Sequence, residues 1–113
     1  MESQLELNEE RLRLLGKFKE AMPEVTGKEY DFLDAVYREG ALSTKVKRLM
    51  SMAIALRAGC VNCILSQALR AIDAGATREE VLETLAVELA MSGTTGIAES
   101  LRVVKLLDEL GKL

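Results

Sequence analysis

The chain has 113 residues, about one domain's worth, and its 49% apolar and 29% charged content excludes a disordered or low-complexity polypeptide. Lys and Arg number 15 against 18 Asp and Glu, and the net charge of −3 offers no electrostatic footprint for nucleic acid or an anionic membrane. Histidine is absent, which removes Ser–His–Asp and Cys–His nucleophile pairs, His-ligated metals and imidazole acid–base chemistry.

Helical periodicity runs almost the whole length, with Pro23 and most glycines at the joints. A first helix is expected from about Ser3 to Met22, because Ser3 and Glu6 have capping-box spacing. Its apolar positions Leu5, Leu12, Leu15, Phe18 and Met22 recur at helical intervals, and Pro23 ends it. Thr26 and Glu29 repeat the capping signal for a short helix through Phe32, Leu33, Val36 and Tyr37 that stops at Gly40. Ser43 then caps the most apolar segment, from about Thr44 to Ala58, expected to be central and covered on most sides. Gly59 stops it.

The next helix starts near Cys60 and runs to Ala74, with Gly75 as terminator. Thr77 and Glu80 make a third capping box for a helix through Val81, Leu82, Leu85 and Leu89. Residues 92–96 read as a loop. A last helix places Ile97, Leu101, Val104, Leu107 and Leu110 on one stripe. Six helices with short joints describe an all-α bundle, a single helical domain over 1–113 with N-terminal helices in 1–32. No apolar run approaches the roughly 18 residues of a membrane span, and the N-terminus lacks a basic-then-apolar leader. A cytoplasmic protein without a membrane or nucleic-acid partner is the expectation.

The one constellation able to carry covalent chemistry is Cys60-Val61-Asn62-Cys63. Cysteines three apart at a helix start are neighbours. The first-turn N–H groups and the positive end of the helix dipole both favour thiolate over thiol, most strongly at Cys60. Such a thiolate can attack a peroxide or disulfide and be resolved by its partner. Two plain alternatives compete: cysteines as packing residues, and half of a metal site shared between subunits. Taking about 100° per residue, Val61, Ile64, Leu65, Ala68 and Ile72 form the apolar stripe of this helix. Cys63, Gln67 and Arg70 lie off its centre, with Cys60 at the margin, so the dithiol shares a face with polar groups. Neither a cofactor nor a bound metal is expected.

Three segments, GALSTKVKRLM from Gly40, CVNCI from Cys60 and AGATREEV from Ala74, resemble the carboxymuconolactone decarboxylase / alkylhydroperoxidase D family over roughly residues 33 to 100. The resemblance implies an all-helical fold assembled into trimers or hexamers. For members with CxxC it implies a peroxidase (peroxiredoxin activity) with an antioxidant role, or a thiol–disulfide oxidoreductase. The partners implied are a hydroperoxide or disulfide substrate and a thiol reductant protein. In the alkylhydroperoxidase branch the second cysteine meets peroxide, the first resolves it, and a glutamate and a histidine relay the proton. By position the cysteines are Cys63 and Cys60, the glutamate falls on Arg48 and the histidine on Gln67. Dipole physics favours Cys60 as attacker; the family pattern favours Cys63.

Gln67 can hydrogen-bond a thiolate or a water but cannot accept a proton at neutral pH. Arg48, which the helical wheel turns away from the apolar side of its helix, can lower a thiol pKa by charge alone, and Arg57 is an equal candidate for that role. Glu88 flanks the apolar face of the fifth helix and is the candidate replacement acid, the plainer alternative being a salt bridge at a bundle edge or subunit interface. Tyr30 and Tyr37 could add hydroxyls. The catalytic set expected is therefore Cys60, Cys63, Gln67 and Glu88. Two other functions compete with redox turnover: a helical oligomer that binds a small ligand or partner, and lyase chemistry on an unsaturated lactone.

Overall fold

The computed structural model describes all 113 residues and contains six α-helices and no strand. They are α1 (Gln4–Ala21), α2 (Pro23–Tyr37), α3 (Thr44–Ala58), α4 (Val61–Asp73), α5 (Arg78–Ser92) and α6 (Thr94–Glu109). Caps set most of their starts. Ser3, Ser43 and Thr77 each accept a backbone N–H of the first turn through the side chain, and Thr77 with Glu80 completes a reciprocal capping box. Gly59, at φ 72°, closes α3 in the left-handed region where a Cβ would be strained.

Two expected boundaries shift. Helix α2 opens at Pro23, a residue suited to the first helical position because its missing N–H has no partner there anyway. Thr26, expected to cap, instead lies one turn inside and donates its hydroxyl back to the Met22 carbonyl at 2.8 Å. The loop expected over 92–96 shrinks to Gly93, whose φ of 63° turns the chain and lets Thr94 begin α6 at once.

Helices α3 and α4 pack against each other, α5 lies on α6, and α1 covers α4 and α6. Met52, Leu56, Ile64, Ala68, Val81, Val103, Leu106 and Leu107 form the core, all essentially without solvent contact. Each large aliphatic among them contributes roughly 1.5–3 kcal/mol by leaving water. Ser3 and the Gln4 N–H both donate to the Glu109 carboxylate, at 2.5 and 2.7 Å, which ties the start of α1 to the end of α6. The Ser3 hydroxyl is the main reason that the Glu109 carboxyl is held below its ordinary range. Lys45 of α3 pairs with Glu80 of α5 at 2.8 Å.

The apolar run of α3 is not covered on most sides within this chain. Met52, Ala55 and Leu56 are buried, whereas Val46, Met50 and Ile54 face outward beside the exposed Val87 and Met91 of α5. The stripe expected on α6 is also displaced: Gly96, Ser100, Val103, Leu106 and Leu107 are buried, while Ile97 and Leu101 are exposed. No helix is long and apolar enough to cross a membrane.

Candidate functional site around the dithiol

The turn after Gly59 delivers Cys60 to the N-cap of α4. Its Sγ accepts the Cys63 N–H at 3.3 Å and its carbonyl accepts the Ile64 N–H at 2.8 Å. The two cysteines form a disulfide, with Cα atoms 5.2 Å apart. Helix α4 is strongly amphipathic: Ile64, Leu65, Ala68 and Ala71 are buried, while Cys63 and Arg70 are exposed and Gln67 is half-buried. Cys60 is half-buried. The expected sharing of one face by the dithiol and polar groups is what the helix presents.

A cavity of about 310 Å³ opens beside Cys63. Asn62, Ser66, Gln67 and Arg70 of α4 line it, together with Arg48 of α3, Arg11 of α1 and Glu29 of α2. Leu15 and Leu33 complete its wall. Arg48 donates through one terminal nitrogen to Gln67 Oε1 at 3.0 Å and stacks its guanidinium 3.4 Å above the Tyr37 ring. The residues at the two relay positions are thus hydrogen-bonded to each other. Tyr37 meets Arg48 through its ring, and its hydroxyl pairs with Ser51 at 2.5 Å. Tyr30 lines an adjoining hollow rather than this cavity.

Charge around the sulfur is unbalanced. Arg11, Arg48 and Arg70 form no salt bridge, and Glu29 is the one carboxylate lining the cavity. Burial, and then the neighbouring Arg70 guanidinium, hold both Arg48 and Arg11 below the ordinary arginine pKa. These groups remain cationic at any working pH, and a positive potential beside Cys63 favours its thiolate when the disulfide is reduced. The wheel of α4 already places Arg70 on the side of Cys63 and Gln67, whereas nothing in the sequence marks Arg11, whose approach depends on how α1 docks on α4.

Glu88 occupies a different place. It lines a hollow between α3 and α5 with Ile54, Arg57, Val87 and Met91, on another side of α3 from Arg48 and apart from the cavity at Cys63. Arg57 lies in that hollow too. Glu88 is only 4% exposed, and neither carboxylate oxygen has a partner within the chain. Gly96 makes room for it: a Cβ there would sit 2.6 Å from Glu88 Oε2.

Comparison with known proteins agrees with the fold. The model of the carboxymuconolactone decarboxylase family matches residues 23–106. An uncharacterised protein of Cupriavidus necator is 30% identical over 98 residues, 87% of each chain. A carboxymuconolactone decarboxylase family protein of Legionella pneumophila, solved in its apo form, superposes with a TM-score of 0.87 at 29% identity, covering 94% of this chain and 95% of its own. One from Thermotoga maritima, for which a part in the antioxidative response has been suggested, superposes at 0.72 with 25% identity, covering 90% and 95%.

Proposed function

The chain belongs to the carboxymuconolactone decarboxylase family, and from that premise we propose that it is a CxxC-dependent redox protein, a hydroperoxide reductase cycling between dithiol and disulfide. The observation that carries this reading is the disulfide-bonded Cys60–Cys63 pair at a helix start, with Cys63 opening onto an arginine-lined cavity. In the reduced protein the Cys63 thiolate attacks the distal oxygen of the peroxide. The O–O bond breaks, the alkoxide leaves and takes a proton as alcohol, and Cys63 becomes a sulfenic acid. Cys60 then attacks that sulfur, forms the disulfide and releases the oxygen as water. Two electrons pass from the thiols to the peroxide, and an external dithiol restores them. The same pair supports thiol–disulfide exchange with a partner protein, which needs access and a thiolate but no dedicated proton relay.

The roles differ because the surroundings differ. Cys63 is exposed and lines the cavity, whereas Cys60 is half-buried at the cap and lies outside it. We therefore assign attack to Cys63 and resolution to Cys60. Gln67 holds Arg48 in place at 3.0 Å and can donate its amide to a thiolate or a water. Intact-mass measurement after reduction and one equivalent of an organic hydroperoxide tests the cycle. The expected result is rapid loss of two hydrogens; two unmodified thiols after long exposure would dispose of the peroxidase reading.

Assembly is part of the same proposal. Val46, Met50, Ile54, Val87 and Met91 make a continuous apolar strip across α3 and α5, with Ile54 67% and Met91 84% exposed. That is more apolar surface than a lone helical bundle needs to leave open. Below it lies the carboxylate of Glu88, whose oxygens lack partners in the chain, so the strip suits a second copy that buries it and completes the hollow. A homo-oligomer, trimer or hexamer, is expected in sedimentation velocity. Met91→Asp places a charge in the strip and should weaken assembly about tenfold or more, moving the sample toward the 12.4 kDa monomer. A monomeric parent protein, or unchanged assembly in the variant, contradicts this interface.

A further inference from the structure

We propose that the cavity beside Cys63 is a carboxylate subsite, in which Arg11, Arg48 and Arg70 hold the anionic end of a small peroxide substrate while its O–O bond faces the Cys63 sulfur. The substrate class is then a hydroperoxide of a medium-chain carboxylic acid. The proposal rests on the peroxidase reading for its chemistry, but the site itself is defined by charge and shape.

Three helices deliver the three cations. Arg11 comes from α1, Arg48 from α3 and Arg70 from α4, and none has an ion-pair partner. Arg11 bonds Asn8 Oδ1 through two of its nitrogens, at 3.0 and 2.9 Å, and Arg48 uses one terminal nitrogen on Gln67. The other terminal nitrogen of Arg11, the rest of Arg48 and all of Arg70 remain as donors. Guanidinium forks of this kind match a carboxylate in charge and in planar geometry.

The negative groups nearby are few. Glu29 lines the cavity, and Asp34, in the adjoining hollow, is already paired with Arg38 at 3.3 Å. Two positive charges in the cavity therefore stay uncompensated. Like charges held together without a counter-ion oppose folding, and burial adds to the penalty on Arg48 and Arg11. A bound anion removes the uncompensated repulsion and offsets the cost of burial by direct attraction. The concave volume of about 310 Å³ suits a small molecule rather than a protein surface. Leu15 and Leu33 supply an apolar wall, which favours a carboxylate carrying a hydrocarbon body over inorganic phosphate.

The test uses the full chain in its oxidised form, which cannot turn over, so binding is read independently of redox chemistry. Octanoate, octanol and inorganic phosphate are titrated calorimetrically at low and high salt. Octanoate should bind at least about tenfold tighter than octanol and more tightly than phosphate, and sodium chloride should weaken it. Arg70→Gln, at an exposed position where the fold has little at stake, should weaken octanoate about tenfold. Glu29→Gln removes the opposing charge and should tighten it about threefold. The opposite signs of these two variants separate an anion site from a general packing effect. Equal binding of octanoate and octanol, no binding of either, or indifference to both substitutions overturns the subsite and leaves the dithiol cycle untouched. Failure of the mass test on the reduced protein would remove the cycle and leave the measured anion site in place.

Discussion

Replacing Cys63 by serine is expected to bring hydroperoxide turnover down to the level of the uncatalysed reaction, a loss on the order of 10³-fold or more, because a serine hydroxyl stays protonated where a thiol ionises. Cys60→Ser should behave differently. Its Cys63 still opens onto the arginine-lined cavity, so the first oxidation proceeds at close to the parent rate. No thiol then remains to resolve it, so the protein gains one oxygen atom and stops after a single turnover. Rapid-quench intact mass on both variants checks this. A stable sulfenic acid in Cys63→Ser instead would transfer the attacking role to Cys60. That outcome would mean that the helix dipole at the N-cap outweighs the three guanidinium groups. Access argues the other way, because Cys60 is half-buried and lies outside the cavity, whereas Cys63 is exposed and lines it.

The asymmetry between the two sulfurs was only partly legible in the sequence. Local rules located what is local: Ser3, Ser43 and Thr77 cap the helices they announce, and the wheel of α4 puts Cys63, Gln67 and Arg70 off the apolar stripe. Where two local signals compete, the wrong one can be read. Thr26 carries a capping-box pattern, yet Pro23 three residues earlier is itself a good helix start, and α2 takes it. Placement across helices was not legible. Arg48 does lie off the main apolar side of α3, but that side of the helix meets the polar edge of α4, where Gln67 receives it.

Arg11 is 52 residues from Cys63 in the chain, and no periodicity links them. Glu88 shows a different limit. Its position on the wheel correctly implied burial, but burial does not say which hollow a carboxylate faces, and it faces the one between α3 and α5. The apolar run of α3, which leaves Val46, Met50 and Ile54 exposed, shows a related limit. A sequence shows how much hydrophobic surface must be covered, not whether the cover comes from the same chain.

Restoring the family's relay residues should produce the largest gain. In the parent the two relay positions hold Arg48 and Gln67, joined at 3.0 Å, so side chains at these sites reach one another across α3 and α4. Glutamate is shorter than arginine, and a Glu–His pair there would meet directly or through one water. Arg48→Glu alone is expected to slow peroxide reduction, because it replaces a cation beside the Cys63 thiolate by an anion and raises the thiol pKa. Gln67→His alone supplies an imidazole, but the adjacent Arg48 cation disfavours its protonated form and limits its use as a proton carrier. With both changes the carboxylate supports the imidazolium, and general acid–base catalysis of this kind typically contributes on the order of 10²-fold.

The double variant should therefore exceed both single variants, a coupling larger than any sum of their separate effects. Its sign with pH follows from the base that has been added. The neutral imidazole must take the thiol proton, so the rate of the double variant should rise as pH increases through the histidine pKa. The parent has no histidine, so its profile should follow only the ionisation of its own attacking thiol, and the histidine step should be the difference between the two proteins. Stopped-flow oxidation of the four proteins between pH 5 and 8 measures both quantities. Additive effects, or a double variant slower than Gln67→His, would show that positions 48 and 67 do not form a working proton relay in this fold even when Glu and His are supplied, and that the charge of Arg48 is worth more to the sulfur than a relay.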